Sequence, residues 1–99
     1  MLEELNQHNF NKYIETGIKV VMFYANWCGY CKKQFAELDE LENVMIGIVE
    51  VDNNKELVQR YQINSFPTFL IFKNSKQVGK FSGLHSKSDL MNKLLSFLQ

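Results

Sequence analysis

Net charge is absent from this sequence: eleven lysines and arginines are balanced by eleven aspartates and glutamates. Such a chain has no electrostatic footprint for nucleic acid or for an anionic membrane. Lys32, Lys33, Lys73, Lys76 and Lys80 are scattered and read as a solvated surface. Long apolar runs are missing too. The longest, Val20 to Ala25, is far too short to span a bilayer. Residues Met1 to Gln7 lack the basic start, apolar stretch and small-residue cleavage site of an export signal, so a cytoplasmic location is expected. There are only two cysteines, one proline and one tryptophan. In a reducing compartment a cysteine pair is not a static staple. A disulfide closing so short a loop would also constrain little of the unfolded chain. With no repeat, linker or low-complexity segment, residues 1–99 read as a single domain, long enough to bury a modest core.

What is present is a regular alternation of strand and helix patterns. Leu2–Leu5 reads as a short edge strand. Asn6 or Asn9 can cap a helix whose apolar face is Phe10, Tyr13 and Ile14, ended by Gly17. Ile18–Ala25 is a strand buried on both faces. Phe35, Leu38 and Leu41 then repeat at helical spacing, and Val44–Val51 is a second buried strand. Asp52-Asn53-Asn54 is a turn and cap signal before a short helix marked by Leu57, Val58 and Tyr61. After the loop Ile63–Pro67 come a strand at Thr68–Phe72, a hairpin turn at Asn74–Gln77 and an edge strand at Val78–Phe81. Ser86 and Asp89 have the spacing of a capping box, and Leu90, Met91, Leu94, Leu95 and Leu98 line the last helix. The expected class is α/β: a central mixed sheet, its parallel part joined by right-handed crossovers, flanked by helices on both faces.

The chemistry concentrates in Trp27-Cys28-Gly29-Tyr30-Cys31-Lys32, which holds both cysteines and the tryptophan. Only a thiolate attacks a disulfide. The partial positive charge at a helix N-terminus stabilises an anion, and Cys28 precedes the first turn. Gly29 leaves access open. Cys31, one turn in and beside Phe35, should be less exposed. Cys28 is therefore the expected nucleophile and Cys31 the resolving thiol. Trp27 would shield the pair and offer apolar contact. A zinc site needs four ligands as a rule, and only His8 and His85 remain as soft donors, so no metal is expected.

These residues resemble the thioredoxin family. The match is Trp-Cys-Gly-x-Cys-Lys after a buried strand, then Phe66-Pro67-Thr68 before the next core strand, Phe72-Lys73-Asn74 at the hairpin and Gly83 after the edge strand. It covers nearly the whole chain in order. The resemblance implies the thioredoxin fold and a cis Phe66–Pro67 peptide. It also implies a groove in which Ser65, Phe66, Pro67, Thr68, Gly83 and Leu84, with Trp27, Gly29 and Tyr30, dock an extended partner by strand addition. The activity implied is reduction of disulfides in protein partners by a monomer. It would bind no cofactor, with electrons from NADPH passing through a flavin-containing thioredoxin reductase.

Four departures bear on the chemistry. Tyr30 stands where thioredoxins usually have proline, and tyrosine there occurs in periplasmic disulfide isomerases of the same fold. A more oxidising isomerase or oxidase is thus one alternative, and a non-redox binding module using the same groove is another. Met22 and Ile48 replace the family's buried Asp and its Lys neighbour, and are expected to lie beneath the pair. That avoids an unpaired buried charge but removes the general base for Cys31, for which Glu50, water or the departing partner thiolate could stand in. Ala36 replaces a mid-helix proline, which implies a straighter helix. The segment from Cys31 to Asp52 is shorter than usual by about one helical turn.

Overall fold

The computed structural model describes residues 1–98. Five strands and four helices follow in the order β1 (Leu2–Leu5), α1 (Phe10–Tyr13), β2 (Ile18–Tyr24), α2 (Gly29–Asp39), β3 (Ile46–Glu50), α3 (Lys55–Arg60), β4 (Thr68–Lys73), β5 (Lys76–Ser82) and α4 (Lys87–Phe97). They form one sheet with strand order β1-β3-β2-β4-β5. β3 pairs in parallel with both β1 and β2, and β4 runs antiparallel to β2 and β5. This is the mixed sheet expected from the sequence.

The sheet divides the core by strand parity. Val21 and Phe23 of β2 face one side, where Val49, Leu70 and Phe72 meet Phe10 and Ile14 next to Leu57 of α3. Val20 and Met22 face the other, where Ile46, Ile48, Phe69 and Ile71 meet Leu38 of α2 and Leu90 of α4. Alternate residues of a central strand thus serve two helical layers. That is why β2, β3 and β4 read as continuous apolar runs rather than alternating ones.

Local details depart from expectation in instructive ways. The hairpin turn is tighter than the four residues Asn74–Gln77, because β5 begins at Lys76. Asn74 and Ser75 both take positive φ, 49° and 73°, the conformation that two-residue hairpin loops require. The turn is fastened to the loop before β2: Gly17 N–H donates to Asn74 Oδ1 at 2.8 Å, and Asn74 N–H donates to Gly17 O at 2.9 Å. Gly17 has φ 74°, open to glycine at no steric cost. At the start of α4, Ser86 Oγ accepts from Asp89 N–H at 3.2 Å. The Asp89 carboxylate turns to the His85 ring instead of the Ser86 backbone, so only half of the capping box forms.

Candidate active site

The two cysteines sit where β2 ends and α2 begins. Cys28 is the N-cap of α2, with extended backbone, and its Sγ accepts from Cys31 N–H at 3.2 Å. One orphan donor of the first turn is therefore directed at the sulfur, as the position of Cys28 predicts. The Cys28 thiol in turn donates to Phe66 O at 3.7 Å. Both cysteines are free. Cys28 is 8% exposed and Cys31 1%. The predicted asymmetry holds, although Cys28 sits in a recess rather than standing open at the surface. Burial is the main cause that pushes the Cys31 thiol up to about 12, followed by its hydrogen bond to Cys28; only a backbone hydrogen bond from Ala25 opposes them.

The Phe66–Pro67 peptide is cis. This loop lies against the pair, with Phe66 O facing Cys28. Pro67 O accepts from Gly83 N–H at 2.9 Å, which ties the loop to the segment beyond β5. Gly83 has φ 92°, a conformation that suits glycine. Ser65 is exposed, but Thr68 is buried, and its hydroxyl donates to Ser65 O at 2.7 Å and pairs with Ser82 Oγ at 2.8 Å. Thr68 therefore braces the loop from beneath and presents no side chain to a partner. Pro67 is buried beside it, and Gly29 is open to solvent.

Three large apolar side chains expected to line the groove are exposed. Trp27 is 67% exposed, Tyr30 63% and Leu84 42%. Large side chains left this open gain most from a partner that covers them. Trp27 is nevertheless oriented: its Nε1 donates to Asp52 Oδ2 at 3.1 Å, and its ring meets Phe66 edge-on at 5.7 Å between centroids. The Lys33 ammonium lies 5.9 Å from the centre of the Tyr30 ring.

Two expectations about the ground beneath the pair need correction. Met22 and Ile48 are register partners, but they pack with Leu38 and Leu90 on the α2/α4 side of the sheet. Cys28 and Cys31 join the opposite half, with Ala25 and Ile63. Glu50 is also otherwise engaged. Its carboxylate accepts from Asp52 N–H at 3.2 Å and Asn53 N–H at 3.0 Å, capping the 3-10 turn Val51–Asn53. It serves as a cap, not as a base for Cys31.

Sequence reasoning missed Gln34 and His85. Gln34 is wholly buried on α2 and hydrogen-bonds the backbone of His85. A signal was present: with Cys31, Leu38 and Leu41 it falls on the buried stripe of the helix, where a polar side chain needs partners. The partner segment, distant in sequence, could not be read. Among the described residues no group of three or more His, Cys, Asp or Glu is placed to hold a metal ion. No helix there is long and apolar enough to cross a membrane.

Comparison with known proteins gives one answer. The family model described as Thioredoxin matches residues 1–96. A thioredoxin of Chlamydia caviae is 36% identical over 95 residues, covering 92% of this chain and 93% of the relative. A thioredoxin of Staphylococcus epidermidis is 34% identical over 92 residues, covering 88% of each. A putative protein disulfide-isomerase of Schizosaccharomyces pombe is 43% identical over 88 residues, 81% of this chain but 18% of that protein. Among solved structures, the thioredoxin of Malassezia sympodialis superposes with a TM-score of 0.81 at 23% identity, covering 97% of this chain and 90% of that one.

Proposed function

The chain belongs to the thioredoxin family, a thiol–disulfide oxidoreductase acting through its cysteine pair, and from that premise we propose a role for each sulfur. Cys28 thiolate attacks one sulfur of a partner's disulfide, forming a mixed disulfide and releasing the first partner thiolate. Cys31, deprotonated, then attacks Cys28 Sγ and releases the second. The protein is left with a Cys28–Cys31 disulfide, and two electrons have passed to the partner. The observation that carries this assignment is the Cys31 N–H pointing at Cys28 Sγ, with Cys31 itself sealed beneath. Trp27, Gly29, Tyr30 and Leu84 line the docking groove with Ser65, Phe66, Pro67 and Gly83, and Thr68 supports it.

The direction is reduction, in the cytoplasm, by a monomer of one domain. A fold that stands on its apolar core and keeps both cysteines at the site fits a reducing compartment, where structural disulfides are rare. Electrons return from NADPH through a flavin-containing thioredoxin reductase. Two observations favour a second reading, a more oxidising isomerase: Tyr30 between the cysteines, and the likeness to the putative disulfide-isomerase.

Equilibration with glutathione separates the two. A potential of about −270 mV, the value general to thioredoxins and not one obtained from this geometry, supports the reductase. A value of about −180 mV supports the isomerase. Turnover of insulin disulfides with NADPH and a thioredoxin reductase tests the electron source.

A further inference from the structure

Gln34 lies on α2 one turn beyond Cys31 and is wholly buried. Its amide meets both backbone groups of one residue: Nε2 donates to His85 O at 3.0 Å, and Oε1 accepts from His85 N–H at 2.9 Å. The side chain thus does for His85 what a neighbouring strand would do, in a segment between β5 and α4 that has none. A buried amide is costly unless its donors and acceptor are used, and an apolar residue would fill the space without that condition. Its hydrogen bonds go to neither sulfur.

His85 directly follows Gly83 and Leu84, the outer wall of the groove. That wall is held at its other end by Gly83 N–H on Pro67 O, and the adjoining Phe66 O accepts from Cys28. A closed circuit therefore runs from α2 through Gln34, His85, Gly83 and Phe66 back to Cys28, the cap of α2. The His85 ring adds a further hold, with Nδ1 on Asp89 Oδ2, Nε2 on Ser82 O at 2.9 Å, and an edge-on contact with Phe81 at 5.1 Å.

We propose that Gln34 is a positioning residue for the groove: it fixes the Gly83–Leu84 wall relative to the cysteine helix, and so determines how well an extended polypeptide is held at Cys28. The inference rests on the dithiol reading above and deepens it. A polypeptide must lie between the Trp27 and Leu84 sides of the groove, whereas a small disulfide needs only to reach Cys28 Sγ.

The test uses pre-reduced wild type and Gln34→Met, which keeps the volume and removes both hydrogen bonds. The two substrates are insulin and a small aromatic disulfide, dithiobis(nitrobenzoic acid). For Gln34→Met the half-saturating insulin concentration should rise about five- to tenfold while the maximal rate stays within about twofold. Reaction with the small disulfide should also stay within about twofold of wild type. Backbone amide exchange at Leu84 and His85 should accelerate in Gln34→Met, which reports release of the wall even if the melting temperature falls. Wild-type insulin saturation in Gln34→Met, or equal losses on both substrates, would overturn the proposal. Wild-type protein that left both disulfides intact would instead overturn the dithiol reading, and the inference with it.

Discussion

The backbone N–H of Cys31 donates to the sulfur of Cys28 at 3.2 Å, while the sulfur of Cys31 is buried beneath it. One residue thus supports the nucleophile with its main chain and holds its own thiol in reserve. The two sulfurs have the same chemistry and unequal surroundings, and the surroundings assign the order of events.

Cys28→Ser should abolish reduction of insulin disulfides, since the one other thiol, Cys31, is only 1% exposed. Cys31→Ser should still attack but fail to resolve, and should accumulate mixed disulfides visible on a non-reducing gel. Equal trapping by both variants would contradict the assigned order.

Proton removal from Cys31 should limit resolution. Burial, and then the hydrogen bond to Cys28, raise this thiol to about 12 in the reduced protein; the burial remains in the mixed disulfide, and Glu50 is engaged in its cap. With no local base, the thiolate fraction grows about tenfold per pH unit below that value. Stopped-flow measurement of mixed-disulfide release between neutral and mildly alkaline pH should show close to that slope. A plateau from neutral pH upward would reveal a proton acceptor near Cys31.

Alkaline pH should also destabilise the reduced fold. Cys31 is raised from 9.0 to about 12, and Tyr13 from 10.0 to about 12, by burial and then by the nearby Glu3 carboxylate. A group raised in the folded state binds its proton longer there than in the unfolded chain. Its contribution is complete below the unfolded value and is lost as pH climbs toward the folded one. The melting temperature should therefore decline above about pH 9, and Tyr13→Phe should flatten the part above pH 10. Tyr13 Oη is buried without a hydrogen-bond partner, so the same variant should be unchanged or stabilised by up to about 1 kcal/mol at neutral pH. A clear loss at neutral pH would mean that the hydroxyl is satisfied.

Thr68→Val keeps the shape and removes the hydroxyl that joins Ser65 O and Ser82 Oγ. The expected cost is about 1 kcal/mol in chemical denaturation, because a part-buried hydrogen bond is lost. A neutral result would show that water reaches the loop and that Thr68 does not brace it.

The strand and helix order was legible because continuous apolar runs and period-3.6 apolar stripes are both local, and so was the position of Cys28 at a helix start. The exact hairpin was not, because Asn74 and Ser75 tolerate both a wide turn and the tight one adopted. Glu50, one of three stand-ins for the missing base, is engaged as a cap for a related reason. A carboxylate followed by the N–H groups of a 3-10 turn finds partners two and three residues away, and these satisfy it before any distant thiol does. Met22 and Ile48, aligned through the family resemblance, do pair across β2 and β3, but the core they join is that of Leu38 and Leu90, while the cysteines group with Ala25 and Ile63.

By itself the sequence determined the chemistry: two thiols three residues apart, one at a helix cap and one inside the first turn, with no other cysteine to compete. Only the tertiary structure decided what surrounds them. The Cys28–Phe66 contact and the Gln34–His85 bridge join residues 38 and 51 positions apart, and Thr68 ties its loop to Ser82, 14 positions on. Their hydrogen bonds depend on the sheet bringing chain ends together, and no local pattern records that meeting.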